Sequence, residues 1–197
     1  MARIKSAWEL AVERTSGIEG NKESVRANEL KKEGQKLASK YLNATSPDAE
    51  ILTEGLKKFS KQERKEVERS VFETLLSQIS LPRNNRFQEK LETTKQGLIA
   101  LLGKNKKLHT IIDQLGQFFQ QYLQYQEQIK EQLKQQYGPQ LKRKQQQLSK
   151  QYGYEVELTP EQDPEFNQLL KQNLEQLEEQ YQQALGKARE DIRSFFE

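Results

Sequence analysis

Apolar residues recur at Leu108, Ile112, Leu115, Phe119, Tyr122, Ile129 and Leu133, in steps of four and three broken only by Gln126. The positions between them are largely Gln, Lys and Glu. A helix with one narrow apolar stripe buries that stripe against another helix rather than inside a broad core. A second stripe follows at Leu170, Leu174, Leu177, Tyr181, Ala184 and Ala188. Two such helices joined by a short connection predict an antiparallel coiled-coil hairpin over residues 105–197, turning near 153–163. Gly138-Pro139 interrupts the first arm, and Leu133, Tyr137 and Leu141 there are spaced by four and four, which locally unwinds a left-handed supercoil. Proline inside a helix removes a donor and clashes with the preceding turn at a cost of about 3 kcal/mol, so a kinked arm is expected.

Upstream the periodicity is shorter. Ile4, Ala7, Trp8, Ala11 and Val12 share one helix face, which Gly17, Gly20 and Asn21 are expected to end. A second helix is predicted over 22–43 on Val25, Leu30, Leu37, Ala38, Tyr41 and Leu42. Ser46-Pro47 has the form of a cap followed by proline and predicts a short helix through Ile51, Leu52 and Leu56. Ser60 to Glu63 is a capping-box pattern, opening a helix to about Ser80. Leu81-Pro82 and Arg83-Asn84-Asn85 mark a break before a further helix on Phe87, Leu91, Leu98, Ile99, Leu101 and Leu102, ending at Gly103. The fold class is thus all-α, with a small helical bundle over 1–104 preceding the hairpin.

The turn itself alternates Tyr154, Val156 and Leu158, a short extended piece, and Thr159-Pro160 and Asp163-Pro164 each supply a cap followed by proline. Counting back along both arms at equal helical rise from residue 158 places Phe195 and Phe196 opposite Phe118 to Tyr122. An aromatic cluster at the hairpin base is expected there.

Composition narrows the class. The hydrophobic fraction is 34%, against about 45–50% in ordinary globular domains on a count that includes Gly, so the core must be narrow. Regularly spaced Leu, Ile, Phe and Tyr nonetheless separate this chain from disordered ones. With no cysteine, disulfides and thiolate metal sites are excluded. Glu9 and Glu13 interrupt any leader-like apolar core, and no run of about 18 apolar residues exists, so the expectation is a cytoplasmic protein without a membrane span.

Charge is distributed unevenly. Residues 1–105 carry 20 basic and 15 acidic side chains, residues 106–152 carry 8 and 3, and residues 153–197 carry 4 and 11. The two arms therefore differ in sign. Folding back brings Lys142, Arg143, Lys144 and Lys150 towards Glu155, Glu157, Glu161, Asp163 and Glu165. Exposed pairs contribute only about 0–1 kcal/mol each, so they set orientation more than stability.

Candidate chemistry is sparse. His109 and Asp113 stand one helical turn apart, too few ligands for a metal in a chain with a single histidine. Carboxylate pairs such as Glu178-Glu179 and Glu190-Asp191 fall on solvent-facing helix, without the apolar pocket that general acid or base work needs. Gly17 to Asn21 follows no strand and reads as a turn rather than a phosphate loop. Ile4 to Val12, with Trp8 flanked by Arg3 and Lys5, is a poor membrane-insertion helix because of its Ala and Glu residues. No catalytic residue, cofactor, metal or small-molecule substrate is expected.

Three segments, Lys5 to Thr15 (KSAWELAVERT), Gln117 to Leu123 (QFFQQYL) and Gln162 to Phe166 (QDPEF), carry a resemblance. Through them nearly the whole chain resembles an uncharacterised family of bacterial all-helical proteins with a domain of unknown function. The resemblance implies no activity and no site residues.

The reading is therefore a non-enzymatic interaction protein, an adaptor, scaffold or assembly subunit that binds a protein partner or a second copy through helix faces. Trp8 on the N-terminal helix, and Tyr125, Tyr137 and Tyr154, placed outside the seam, are the candidate partner contacts. The alternative is a protein associated with RNA, DNA or the ribosome through two basic faces. One is Lys31, Lys32, Lys36 and Lys40; the other is Lys57, Lys58, Lys61, Arg64, Lys65 and Arg69. Interleaved Glu29, Glu33, Glu63, Glu66 and Glu68 weigh against it, since mixed signs at these spacings stabilise solvated helices. A third reading, a chaperone, requires exposed apolar surface near Tyr152 to Leu158.

Overall fold

The structure is a computed structural model that describes the backbone of residues 7–103 and 105–196 and the side chains of 22–103 and 105–196. It is all-α. In order the helices are α1 (Ala7–Leu42), α2 (Glu50–Leu56), α3 (Lys61–Ser77), α4 (Phe87–Leu102), α5 (Lys106–Tyr152) and α6 (Pro164–Arg193), with a 3-10 turn at Pro160–Gln162. No strand occurs among the described residues. None of the described helices is long and apolar enough to cross a membrane.

The chain divides into two compact units. One comprises Met1–Ile79, Glu92–Asn105 and Phe196; the other comprises Ser80–Leu91, Lys106–Phe195 and Glu197. A division at residue 104 would leave Ser80–Leu91 in the bundle, whereas that segment belongs to the second unit. Its Phe87 ring meets Phe119 edge-on at 5.6 Å, and Leu91 lies beside Gly116.

Within the first unit, α1 and α3 bury Leu30, Ala38, Tyr41, Val67, Val71, Phe72, Leu75 and Leu76. The two helices approach closely because Gly34 has no side chain: a Cβ there would stand 2.5 Å from the Ser70 Cβ and 2.7 Å from the Val67 carbonyl oxygen. The Ser70 hydroxyl donates to the Lys31 carbonyl at 2.6 Å across the same crossing. Tyr41 is buried and donates to the Thr93 carbonyl at 2.7 Å, satisfying its one polar atom. Ser60 accepts from the Glu63 N–H and Glu63 reaches back to the cap, so the expected capping box opens α3.

Two expectations about this unit are corrected. Gly17, Gly20 and Asn21 do not end a helix, because α1 runs unbroken for 36 residues. Each glycine costs a helix about 1 kcal/mol, which the flanking helix formers outweigh where no proline intervenes. Ser46-Pro47 does not open α2. The Asp48 carboxylate instead accepts from the Glu50 N–H, shifting the start to Glu50.

In the second unit, α5 is continuous for 47 residues and passes through Pro139 without a break. Its seam is buried at Leu108, Ile112, Leu115, Phe119 and Tyr122 and half-buried at Ile129 and Leu133. Gln126 completes it by donating to the Tyr122 hydroxyl at 2.9 Å. In α6 the buried residues are Phe166, Leu185 and Ile192, with Tyr181 half-buried; Ala184, expected in the seam, is exposed.

The expected aromatic cluster forms with a different partner. Tyr181 packs on Phe118 at 4.5 Å and on Tyr122 at 5.0 Å between ring centroids, and Phe196 stacks on Phe72 at 4.5 Å within the first unit. The register slips by about four helical turns because the connection does not turn over at residue 158. It descends along α5 in extended form at about 3.3 Å per residue, twice the helical rise, and α6 therefore starts beside Tyr137.

Candidate functional site at the hairpin tip

Helix α5 ends in a left-handed glycine: Gly153 has φ +76° and its N–H closes the last turn on the Ser149 carbonyl at 2.9 Å. From there the chain runs back along the helix it has just left. The Val156 N–H donates to the Ser149 hydroxyl at 2.8 Å, and the Gln145 amide donates to the Leu158 carbonyl at 2.8 Å. Val156 and Leu158 turn inward while Glu155 and Glu157 face solvent, the alternation of an extended segment without strand partners. Leu158 packs with Leu133, Leu169 and Leu170 around the buried Tyr137, Leu141 and Phe166.

An ionic network centred on the buried Asp163 ties the end of this loop down. Asp163 caps α6 by accepting from the Glu165 N–H at 3.0 Å, yet it is only 3% exposed. Lys144 donates to both Asp163 carboxylate oxygens, at 3.0 and 2.7 Å, to Glu165 at 2.7 Å and to the Tyr137 hydroxyl at 2.8 Å. Tyr137 in turn donates to Asp163 at 2.8 Å. Gln140 reaches Glu165 at 2.9 Å, and Lys134 reaches Glu161 at 2.8 Å. Four residues of α5 thus hold the start of α6 at one height.

The electrostatics follow from these contacts. Burial pushes the Asp163 carboxyl up, but hydrogen bonds from Lys144, Tyr137 and the Glu165 N–H, with the Lys144 charge, outweigh it and hold the group below its ordinary value. Hydrogen bonds to Asp163, Glu165 and Tyr137 raise Lys144 well above an ordinary lysine. Burial raises the Tyr137 phenol, partly offset by the Lys144 hydrogen bond. Lysine is thereby fixed as a cation, tyrosine as a neutral donor and aspartate as an anion. That is the reverse of the tuning that makes a lysine nucleophile or a tyrosinate base at neutral pH.

Outside the network lies a groove of about 930 Å³ between the end of α5 and the loop, with Lys142, Lys150 and Ser149 on one wall and Tyr154, Glu155 and Glu157 on the other. Tyr152 and Tyr154 are 56% and 66% exposed, their rings 5.9 Å apart. Lys142, Arg143 and Lys150 make no ion pair with a described residue, so of the four cations expected to meet the acidic turn only Lys144 does.

The expected partner contacts are placed unequally. Trp8 has its side chain outside the described residues. Tyr125 is about half exposed, edge-on to Tyr181 at 6.5 Å, and Tyr154 is exposed at the tip beside Tyr152. Tyr137 does not lie outside the seam: it is 3% exposed and tilted onto Phe166 at 5.5 Å. The step of four and four beside Gly138-Pro139 keeps it on the buried face. Tyr152 was missed, although Gly153 signals where the helix stops and releases its neighbour to solvent.

The ten basic residues of the alternative reading all lie in the first unit, on α1, α3 or the turn between α2 and α3, and all but Arg64 are exposed. Lys36 pairs with Glu33, Lys57 with Glu54 and Arg64 with Glu68, leaving Lys31, Lys32, Lys40, Lys58, Lys61, Lys65 and Arg69 without an ion pair to any described residue. His109 and Asp113 are joined by no third ligand, and no group of three metal-ligating side chains occurs among the described residues.

Residues 53–194 match the model of a protein family of unknown function. No curated protein and no solved structure matches the chain.

Proposed function

This chain belongs to the family of unknown function DUF6657, and from that premise we propose that it acts as a non-enzymatic helical interaction protein, an adaptor or assembly subunit, whose hairpin tip docks a protein partner. One observation carries the proposal. Two exposed tyrosines, Tyr152 and Tyr154, flank the left-handed Gly153 on a loop that Ser149, Gln145 and the Lys144–Asp163 network fix against α5.

The physical reasoning concerns order. A loop that is fixed before it binds loses little conformational entropy on binding, and tyrosine supplies large, amphipathic contact area with few rotatable bonds. Aromatic anchors beside a groove are the usual seat of binding energy in protein interfaces. A partly buried ion network adds little to stability compared with an apolar core, but it selects one geometry over others, here the height at which α6 starts.

The test replaces both exposed tyrosines by serine in the full chain. Tyr152→Ser with Tyr154→Ser should leave the helical content and melting curve unchanged, and should abolish the protein partners that the natural chain retains on affinity capture. An unaltered set of partners sinks the proposal.

A further inference from the structure

We propose that the α1–α3 face of the first unit binds the phosphodiester backbone of nucleic acid through Lys31, Lys32, Lys36, Lys40 and Arg69. The inference is independent of the hairpin tip.

Two surface depressions meet on this face. One, of about 820 Å³, lies between α1 and α3 with Lys31 on one wall and Arg69 on the other. The second, of about 520 Å³, runs along α1 and is lined by Lys32, Lys36 and Lys40 with Gln35, Ser39 and Asn43. Gln35 and Ser39 line both, so the five cations surround one continuous strip. All five are exposed, and four make no ion pair with a described residue. The exception, Lys36, is bound only to the exposed Glu33 at 2.8 Å, an exchangeable contact one helical turn away.

The arrangement suits a repeating anion. Lys32, Lys36 and Lys40 follow one another at about 6 Å of helical rise, a line of flexible point charges that meets successive phosphates without demanding a shaped, bidentate acceptor. Gln35 and Ser39 between them, and Asn43 just beyond, are neutral hydrogen-bonding groups of the kind that contact phosphate and sugar oxygens. Opposing charge comes from Glu66 and Glu73 on the α3 wall, and no carboxylate lines the strip along α1. With Glu33 beside Lys36 counted as well, five cations against three carboxylates leave the face net positive.

A membrane surface would be attracted by the same charges. It also requires apolar side chains to enter the acyl boundary, and between Lys31 and Asn43 no large apolar side chain is exposed; among the described side chains of α1 the exposed large apolar one is Val25. Nucleic acid is therefore the better match.

Binding is electrostatic and sequence-independent, so it must fall steeply with salt. The full chain is titrated into a fluorescein-labelled single-stranded RNA and a labelled DNA duplex, following anisotropy across potassium chloride concentrations. About four phosphate contacts give a slope of log affinity on log salt near −3.6 on duplex and −2.8 on the single strand. The triple change Lys32→Gln, Lys36→Gln, Lys40→Gln should weaken binding at least tenfold at low salt and flatten the slope by about 2 to 3. Lys58→Gln, Lys61→Gln, Lys65→Gln removes the same charge from α3 and the turn before it, outside the strip, and should weaken binding less than threefold. All six residues are exposed, and circular dichroism verifies that both triples fold. Absence of binding, equal loss in the two triples, or stronger retention on phosphatidylserine vesicles than on either nucleic acid overturns the proposal. The Tyr152→Ser, Tyr154→Ser chain must bind nucleic acid as the natural chain does, which separates failure here from failure at the tip.

Discussion

The Lys144 ammonium lies 2.7 Å from an oxygen of Asp163, a carboxylate that also caps α6 and is 97% removed from solvent. The pair therefore joins two jobs, ending the loop and starting the helix. Its pH dependence follows from the sign of each shift. Asp163 and Glu165 are held below their ordinary values, so they contribute stability above the unfolded carboxyl range near pH 4, and lose it as pH falls through their folded values. Lys144 and Tyr137 are raised, so their contribution is complete below about pH 10 and is lost as pH rises beyond it. Amide exchange at the start of α6 should be slow and level from about pH 5 to 9 after correction for the intrinsic rate, and faster on either side. Asp163→Asn keeps a capping side chain but removes the charge, and should flatten most of the acid limb. An acid limb unchanged in that variant rules out the network as its source.

Gly34 and Gly186 make opposite predictions from the same substitution. A methyl at Gly34 would stand 2.5 Å from Ser70 and 2.7 Å from the Val67 carbonyl, whereas at Gly186 it would meet nothing within 4 Å. Gly34→Ala gains about 1 kcal/mol of helix propensity but must push apart a closely packed helix pair, so a net loss of about 1–3 kcal/mol is expected. Gly186→Ala should gain about 0.5–1 kcal/mol. Urea denaturation of the two variants should show midpoints shifted in opposite directions, and a stabilised Gly34→Ala chain would contradict the close crossing of α1 and α3.

The register of α6 is tested at Ala184 and Leu185. Leu185 is fully buried and Ala184 is exposed. Leu185→Ala should cost about 2–5 kcal/mol, while Ala184→Ser, at the position that the spacing favoured, should change stability by less than about 0.7 kcal/mol. Comparable losses at both sites would return Ala184 to the seam.

These positions show why some of the fold is legible in the sequence and some is not. The seam of α5 can be read because its large apolar residues stand alone among Gln, Lys and Glu. In α6, Ala184 and Leu185 are adjacent and both satisfy a heptad step, so spacing cannot choose between them and burial of the larger side chain does. Gly103 and Asp163-Pro164 are readable because left-handed backbone and helix caps are local properties. The partner of Phe118 and Tyr122 is not local: it depends on how far an extended loop travels beside α5, which the contacts of Ser149, Gln145 and Lys144 determine. Tyr137 illustrates the same limit at the candidate site. Its neighbours Gly138 and Pro139 suggest an interruption, whereas contacts with Phe166 and Asp163, distant in sequence, add to its spacing in holding it inside.

Pro139 sits between Tyr137 and Lys144, two turns of α5 that must align for both side chains to meet Asp163. The helix is continuous there, and the proline side chain is exposed. A proline at this position offers no N–H to the carbonyl of Gln135 and crowds it, a loss of about 3 kcal/mol in a helix interior. Pro139→Ala restores the donor without changing any buried contact, so the second unit should gain about 1–3 kcal/mol against urea. The alignment of Tyr137 with Lys144 rests on their seven-residue spacing, close to two full turns, and does not require the ring. Amides at the start of α6 should therefore stay at least as protected in Pro139→Ala as in the natural chain. Faster exchange there, despite a more stable α5, would mean that the proline sets the geometry of the lock.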